Sequence, residues 1–381
     1  MQKQPVLAAT LIGDITREAA ARVKYGYFFD ALTREIPLQG IFDATLRGGW
    51  RLWNALQVVS PNLSLWKAHF YQNVPAFRVR SRLVGRWLRQ TSPPPDAVLQ
   101  VGVLFDSLWD APPGLRGLIY TDYTAALAAE RQSIERSPFT SRQRREWIAL
   151  ERRAYQRARH IFVRSELVQH SLVEDYAITP EKITVVGGGV NLAHLPAIRR
   201  SNQARHILFV GKDFYRKGGD VLLLAFARLR EQIPDSRLTM VTNFPKSAKA
   251  LPLEGVTIQP PTWNRTIIEA CYAQADIFVL PSRLETWGDV LLEAMAFGLP
   301  CVSVDDEATD ELIIADQTGF AVPKHRPGAL AAALLRLCES PQLAHNMGLA
   351  GRQRLEQHFT WAHVVERMAP QLHEVLMPGE K

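Results

Sequence analysis

The chain predicts an α/β fold of two doubly wound, Rossmann-like halves. Three observations carry that expectation. A length of 381 residues exceeds one ordinary hydrophobic core. Short apolar runs alternate with helical patterns throughout. A polar, basic stretch over residues 192–205 separates two such sets and suits a linker.

In the first set, apolar runs predict strands over 5–12, 97–105, 117–120, 160–163 and 183–186. Helices are expected over 17–34, 141–158 and 165–175. The last of these strands ends in Gly187-Gly188-Gly189, which no strand-turn-helix unit follows, so it is not a dinucleotide fingerprint. The second set predicts strands over 207–210, 237–242, 256–259, 277–280 and 301–304, and helices over 220–230 and 288–297. Gly298 and Pro300 close the latter helix. A terminal helix is expected over 360–376.

Composition narrows the class. At 47% hydrophobic the chain can fill two cores. Cys271, Cys301 and Cys338 are scattered with no C-x-x-C spacing, so neither disulfide nor zinc is indicated and a reducing, cytoplasmic compartment is the simplest. No basic leader precedes an apolar core and no run of about 18 apolar residues occurs, so an integral membrane protein is not expected.

Glu285 and Glu293 stand eight residues apart, the second inside an otherwise apolar helix. Eight helical residues turn about 80° from alignment, so Glu285 is expected on the loop beside the helix N-terminus. Unpaired amides and a positive dipole end gather there, which welcomes an anion such as a phosphate. A buried helix that merely carries one acid is the alternative. Upstream, the run Gly211-Lys212-Asp213-Phe214-Tyr215-Arg216-Lys217-Gly218-Gly219 links a strand to a helix and brings cations to a second anion site. No Ser or Thr follows Lys217, so it is not a P-loop and ATP hydrolysis is disfavoured. A solvated turn is the bland reading of that loop.

The stretch from Pro281 to Pro300 closely resembles the Glu-x7-Glu signature of the retaining family 4 glycosyltransferases: a Pro-Ser, an acid, a Gly, then Glu-Ala-Met. The resemblance spans roughly residues 97–375. It implies the GT-B architecture, two Rossmann-like domains facing a cleft. Residues 1–198 would form the acceptor-side domain, 206–358 the donor domain, and helix 360–376 would cross back. It implies that Glu285 faces the donor sugar and Glu293 holds ribose hydroxyls. Backbone amides of Trp287, Gly288, Asp289 and Val290 would touch sugar and diphosphate. Gly211 opens the loop where Lys212 takes the place of the family's Arg and Lys217 that of its Lys, the diphosphate clamp, with Arg216 adjacent. Lysine lacks the bidentate fork of arginine.

The chain also departs from the pattern. The family's first strand ends in Gly-Gly near the donor phosphate; here only Gly13 occurs, followed by Asp14, with Arg17, Arg22 and Lys24 nearby. The family's cleft His is not evident, and Asp122 becomes an acceptor-side candidate, or else a helix cap. Around 305–311 the family's glycines are missing while Glu311 and Thr318-Gly319 remain. The activity implied is transfer of a sugar from a nucleotide diphosphate sugar to a hydroxyl of a glycan or lipid-linked acceptor, with retention, without metal and with no cofactor beyond that co-substrate. A noncatalytic nucleotide-sugar-binding or scaffold protein, or a phosphorylase or epimerase on the same architecture, is the competing reading.

No Asp or Glu occurs over 44–95, where eight cations interleave with aromatic residues such as Trp50, Trp53, Trp66 and Trp87. That mixture fits an anionic membrane surface on the cytoplasmic face. A basic acceptor groove or partner surface is the alternative, and nucleic acid is not expected because no known module frames these residues.

Overall fold

The computed structural model describes residues 5–130, 138–199, 202–305 and 307–377. Two compact units emerge: the first runs to Gly187 and resumes at Val364, and the second runs from Gly188 to His363.

The first unit holds six parallel strands: β1 (Leu7–Leu11), β2 (Leu38–Asp43), β3 (Ala97–Val101), β4 (Arg116–Thr121), β5 (His160–Val163) and β6 (Ile183–Val185). Their order is β2-β1-β3-β4-β5-β6. Every residue of β1, β3 and β5 is buried, as expected of parallel strands covered on both faces. β2 went unread because it is an edge strand of half-buried residues, including Gln39, Gly40 and Asp43. The helix expected over 17–34 is interrupted by a π-turn over Arg22–Gly26 before it resumes as Tyr27–Glu35. The helix Ser141–Arg157 starts at a capping box between Thr140 and Gln143.

The acid-free window forms three helices, Gly48–Gln57, Leu63–Tyr71 and Val74–Gln90, and they do not make one surface. Phe77 and Arg80 are buried, Trp87 stacks on Phe42 at 5.1 Å, and Trp53 packs on Leu46, Ala76 and Val79.

The second unit repeats the plan with β7 (His206–Asp213), β8 (Arg237–Asn243), β9 (Val256–Gln259), β10 (Ile277–Leu280), β11 (Cys301–Val304) and β12 (Gly319–Val322). All pair in parallel, in the order β12-β11-β10-β7-β8-β9. Chain direction across the sheet reverses between β7 and β10, which makes their carboxyl ends the sheet's switch point, the usual place of a ligand crevice in such sheets. β12 has four residues and opens on Gly319, too little apolar run to read. The linker expected over 192–205 belongs to this unit instead. Leu192 and Leu195 pack on its core, and Arg199 donates to the Asp276 carboxylate at 2.6 Å. Residues 200 and 201 of that segment lie outside the described residues.

The terminal helix Trp361–Leu376 buries Val364, Met368 and Leu372 completely. From Val364 onward it is part of the first unit, where Arg367 Nε donates to the Val186 carbonyl at 2.8 Å.

Candidate active site

Both sequence motifs leave the switch point of the second sheet. β7 feeds the Gly211–Gly219 loop, and neighbouring β10 feeds the loop that carries Glu285. The two loops are sewn together. Arg283 makes a two-pronged pair with Asp220 at 2.8 Å on each prong, and its amide donates to the Arg216 carbonyl at 2.8 Å. Gly218 sits at φ +75°, and a Cβ there would stand 1.9 Å from the Pro281 carbonyl oxygen, so only glycine permits this approach. The helix that begins at Gly219 then runs to Gln232.

That stitching brings Lys217 and Glu285 into a direct ion pair, with little of either side chain exposed. Ser282 Oγ donates to the same Glu285 oxygen at 3.3 Å. Arg216 lies beside them, but its guanidinium is committed to Asp213 at 2.6 Å and to the Leu284 carbonyl at 3.2 Å, which makes it a brace of the loop. Lys212 is exposed near the end of β7, and Gly211 is buried under the Lys217 side chain.

Gly288, at φ +108°, opens the helix Asp289–Ala296. Trp287 turns its indole into the unit core against Phe359 at 5.8 Å, so only its backbone is left to face a ligand; the indole N–H has no hydrogen-bond partner among the described residues. Glu293 is buried one helix turn on. Its partner is Arg265, whose Nη1 donates at 2.8 Å. Burial pushes the Glu293 carboxyl up, against the pull of Arg265. The buried Tyr272 hydroxyl donates to the Val290 carbonyl at 3.2 Å, at the first turn of the same helix. The two acids therefore belong to two clusters, one on the loop before this short helix and one on the helix itself, each with its own cation.

Three partners escaped sequence reading. Glu307 has a fully buried side chain that accepts the Glu285 amide at 3.0 Å and Lys324 Nζ at 2.5 Å, so it fixes the backbone that carries Glu285. β10 and β11 pair in parallel, with Leu280 beside Ser303, and their exit loops must therefore emerge together. An acid just after β11 was the available signal. Arg265 was legible only as the demand of a buried acid for a cation.

In the first unit, Gly13 follows β1 at φ +107°, and its amide already donates to Asp43 at 2.9 Å and Thr45 at 3.1 Å. Asp14 accepts from the Thr16 hydroxyl and amide, and these bonds hold its carboxyl below the usual range. Asp122 follows β4 and is half-buried. The cap of the next helix comes from Thr124, whose Oγ1 accepts the Leu127 amide at 3.2 Å, so Asp122 does not serve as that cap.

The family model described as Glycosyl transferases group 1 matches residues 194–354. A D-inositol 3-phosphate glycosyltransferase of Jonesia denitrificans is 29% identical over 296 residues, 71% of this chain and 68% of that protein. A glycogen synthase of Mycobacterium tuberculosis is 31% identical over 208 residues, 52% of this chain and 50% of the relative. The matched stretch is thus about half to two thirds of those relatives' length. Sucrose-phosphate synthase from Thermosynechococcus elongatus superposes with a TM-score of 0.70, covering 99% of this chain and 100% of that one at 17% identity. WaaG, a glycosyltransferase involved in lipopolysaccharide biosynthesis, does so at 0.65, covering 98% and 100% at 18% identity. At such identities these two likenesses speak for the fold alone. Residues 194–354 thus match the glycosyl transferases group 1 model, and the two six-stranded parallel sheets have the GT-B fold.

Proposed function

We propose that the protein transfers a sugar from a nucleotide diphosphate sugar to a hydroxyl of a glycan or lipid-linked acceptor, with retention of configuration and without a metal. The observation that carries this reading is the Lys217–Glu285 pair at the switch point of the donor-side sheet. A diphosphate arriving at the N-terminus of the Asp289–Ala296 helix offers Lys217 a doubly charged partner in place of one carboxylate. Glu285, released, then accepts hydrogen bonds from the donor sugar and favours its developing positive charge. Lys217 meets the charge that grows on the departing diphosphate, the kind of aimed electrostatic stabilisation that dominates many enzymes. Lys212, exposed at the loop mouth, adds a screened charge. Glu293 and Arg265 together face the ribose, and Asp122 stands on the acceptor side. The leaving phosphate itself takes the acceptor proton, so no protein base is required.

The names of the relatives support a polyol or glycan acceptor, and one GT-B neighbour, HepE of Anabaena, described in complex with UDP and glucose, supports a sugar-nucleotide donor. A peripheral place on the cytoplasmic face of a membrane accords with a lipid-linked acceptor. Nucleotide-sugar binding without turnover is the second reading, favoured by the Gly13 amide, which its own unit already occupies.

A panel of nucleotide sugars, assayed for release of nucleoside diphosphate with and without membrane lipids, tests the proposal. Turnover with one donor, loss of it in Glu285→Ala at unchanged circular dichroism, and indifference to chelator are the expected results. Product with the opposite anomeric configuration by NMR would remove retention. Donor binding with no release under any condition would establish the noncatalytic reading.

A further inference from the structure

Helices Gly48–Gln57 and Leu63–Tyr71 form a hairpin whose polarity is inverted. Asn54 is wholly buried: its amide donates to the Phe70 carbonyl at 2.8 Å, and its oxygen accepts from Asn73 at 2.9 Å. Trp66 Nε1 closes the other side on the Ala55 carbonyl at 3.2 Å. Meanwhile Leu52 and Leu56, at i and i+4 on the first helix, and Val59 just beyond its end are 69%, 74% and 68% exposed. A helix facing water places its asparagine outside and its leucines inside. The hydrogen bonds show that the hairpin is packed and clamped, so these leucines are not waiting for a fold that failed to form.

The charges carried by this stretch of sequence are of one sign. Arg51 and Lys67 are exposed on the hairpin, and Leu63, Lys67 and Tyr71 recur at four-residue spacing along its second helix. The following helix, Val74–Gln90, exposes Arg78, Arg82 and Arg86 at the same spacing. No acid interrupts residues 44–95. Arg47 is already paired, with Asp43 at 2.6 Å and Asp14 at 3.5 Å. An apolar stripe fringed by basic residues matches a bilayer of anionic lipids, whose interior takes the leucines and whose headgroups take the cations. Among the described residues no helix is long and apolar enough to cross a membrane.

We propose that the hairpin of residues 48–71 is a monotopic docking element that seats Leu52, Leu56, Val59 and Leu63 in the interface of an anionic bilayer, with Arg51 and Lys67 at headgroup level. Docking is independent of the donor site and is read without any sugar nucleotide.

The test is flotation of the full chain with vesicles of phosphatidylcholine, alone or mixed with phosphatidylglycerol. Flotation is expected with the mixed vesicles only and should fall as salt rises, because the attraction decays over a Debye length of about 8 Å at physiological ionic strength. Leu52→Glu with Leu56→Glu should weaken partition by about 100-fold or more. Arg51→Glu with Lys67→Glu should weaken it by about 30-fold or more. Both pairs are exposed, and unchanged thermal midpoints would show that the fold survives. The three native cysteines are buried, so an environment-sensitive dye on Leu56→Cys reports this site selectively; its emission should shift to the blue on mixed vesicles, while the same dye on Arg82→Cys should shift less. Flotation that ignores both double variants, or equal shifts at the two dye positions, would overturn the proposal. So would a wild-type chain that never floats but self-associates through the leucines, since a second copy would then cover the stripe.

Discussion

Glu293 in the second unit and Glu151 in the first are both wholly buried, and burial pushes both carboxyls up, yet different chemistry serves them. Glu293 faces the guanidinium of Arg265. Glu151 is met by neutral donors: Trp147 Nε1 at 2.8 Å, the Ala125 amide at 3.1 Å and the Tyr176 hydroxyl. The two switch points differ in the burial of their ion pairs. Around the second unit's crevice, Glu285 and Glu307 each form a buried pair with a lysine from another segment. At the first unit's crevice, between β1 and β3, Thr10 bonds to Ser107 at 2.8 Å and the Gly13 amide is taken by Asp43, whose own cation, Arg47, is exposed. A cation–carboxylate pair can be exchanged for a charged ligand at little net loss, because each partner keeps its character when the other is replaced. A set of neutral donors around one acid is a permanent anchor. The comparison teaches which unit is built to trade ions.

The sharpest way to break that contrast is Arg265→Ala. It strands Glu293 in the interior, and a lost partner of a buried pair destabilises by roughly 3–5 kcal/mol. Chemical denaturation should show that loss, and Arg265→Met combined with Glu293→Leu should recover most of it. Glu151 supplies the opposite signature. Its carboxyl is pushed up to about 7, above its ordinary 4.5, so its contribution to stability is complete below the ordinary value and disappears as pH rises through the folded one. Between about pH 5 and pH 8 the first unit should lose roughly 3 kcal/mol. Glu151→Gln should flatten that slope, and an unchanged slope would move the titration to another group.

Lys217→Ala should lower turnover by about 10²-fold, the scale for losing an aimed electrostatic donor, with the fold intact. Kinetics that require a divalent ion and tolerate this change would transfer the role to a metal. Asp43→Ala should have the smallest effect. The Gly13 and Thr45 amides lose their acceptor, for about 1–2 kcal/mol of stability, while donor binding measured by calorimetry stays put. A donor affinity that changed with Asp43 would show that the first crevice is not closed.

Most strands were legible because buried parallel strands are uninterrupted apolar runs; Ile277–Leu280 and Cys301–Val304 are where the pattern put them. β2 and β12 were not, one for its half-buried edge and one for its four residues opening on glycine. At the site, Glu285, Glu293 and Lys217 were readable from spacing along the chain. Arg265, Glu307 and Lys324 were not, because their roles come from contacts across 28, 22 and 17 residues that only strand register brings together. Arg216 lies in the same loop, with its fork bonded to Asp213, a partner that spacing along the chain does not reveal. The cationic, aromatic window was readable only in part: composition cannot separate Arg80, buried and bonded to the Tyr71 carbonyl, from Arg78 and Arg82, which are exposed.

The last helix sets the order in which the chain can mature. Val364, Met368 and Leu372 complete the core of the first unit, whereas every residue of the second unit is synthesised by His363. On the ribosome the C-terminal of the two units can therefore close while the N-terminal one still lacks a wall, the reverse of the usual N-to-C sequence. A fragment ending at Gly187 would leave its half of the molecule open along that wall, and an isolated first unit would have to be made as a circular permutant that joins residues 364–376 to it.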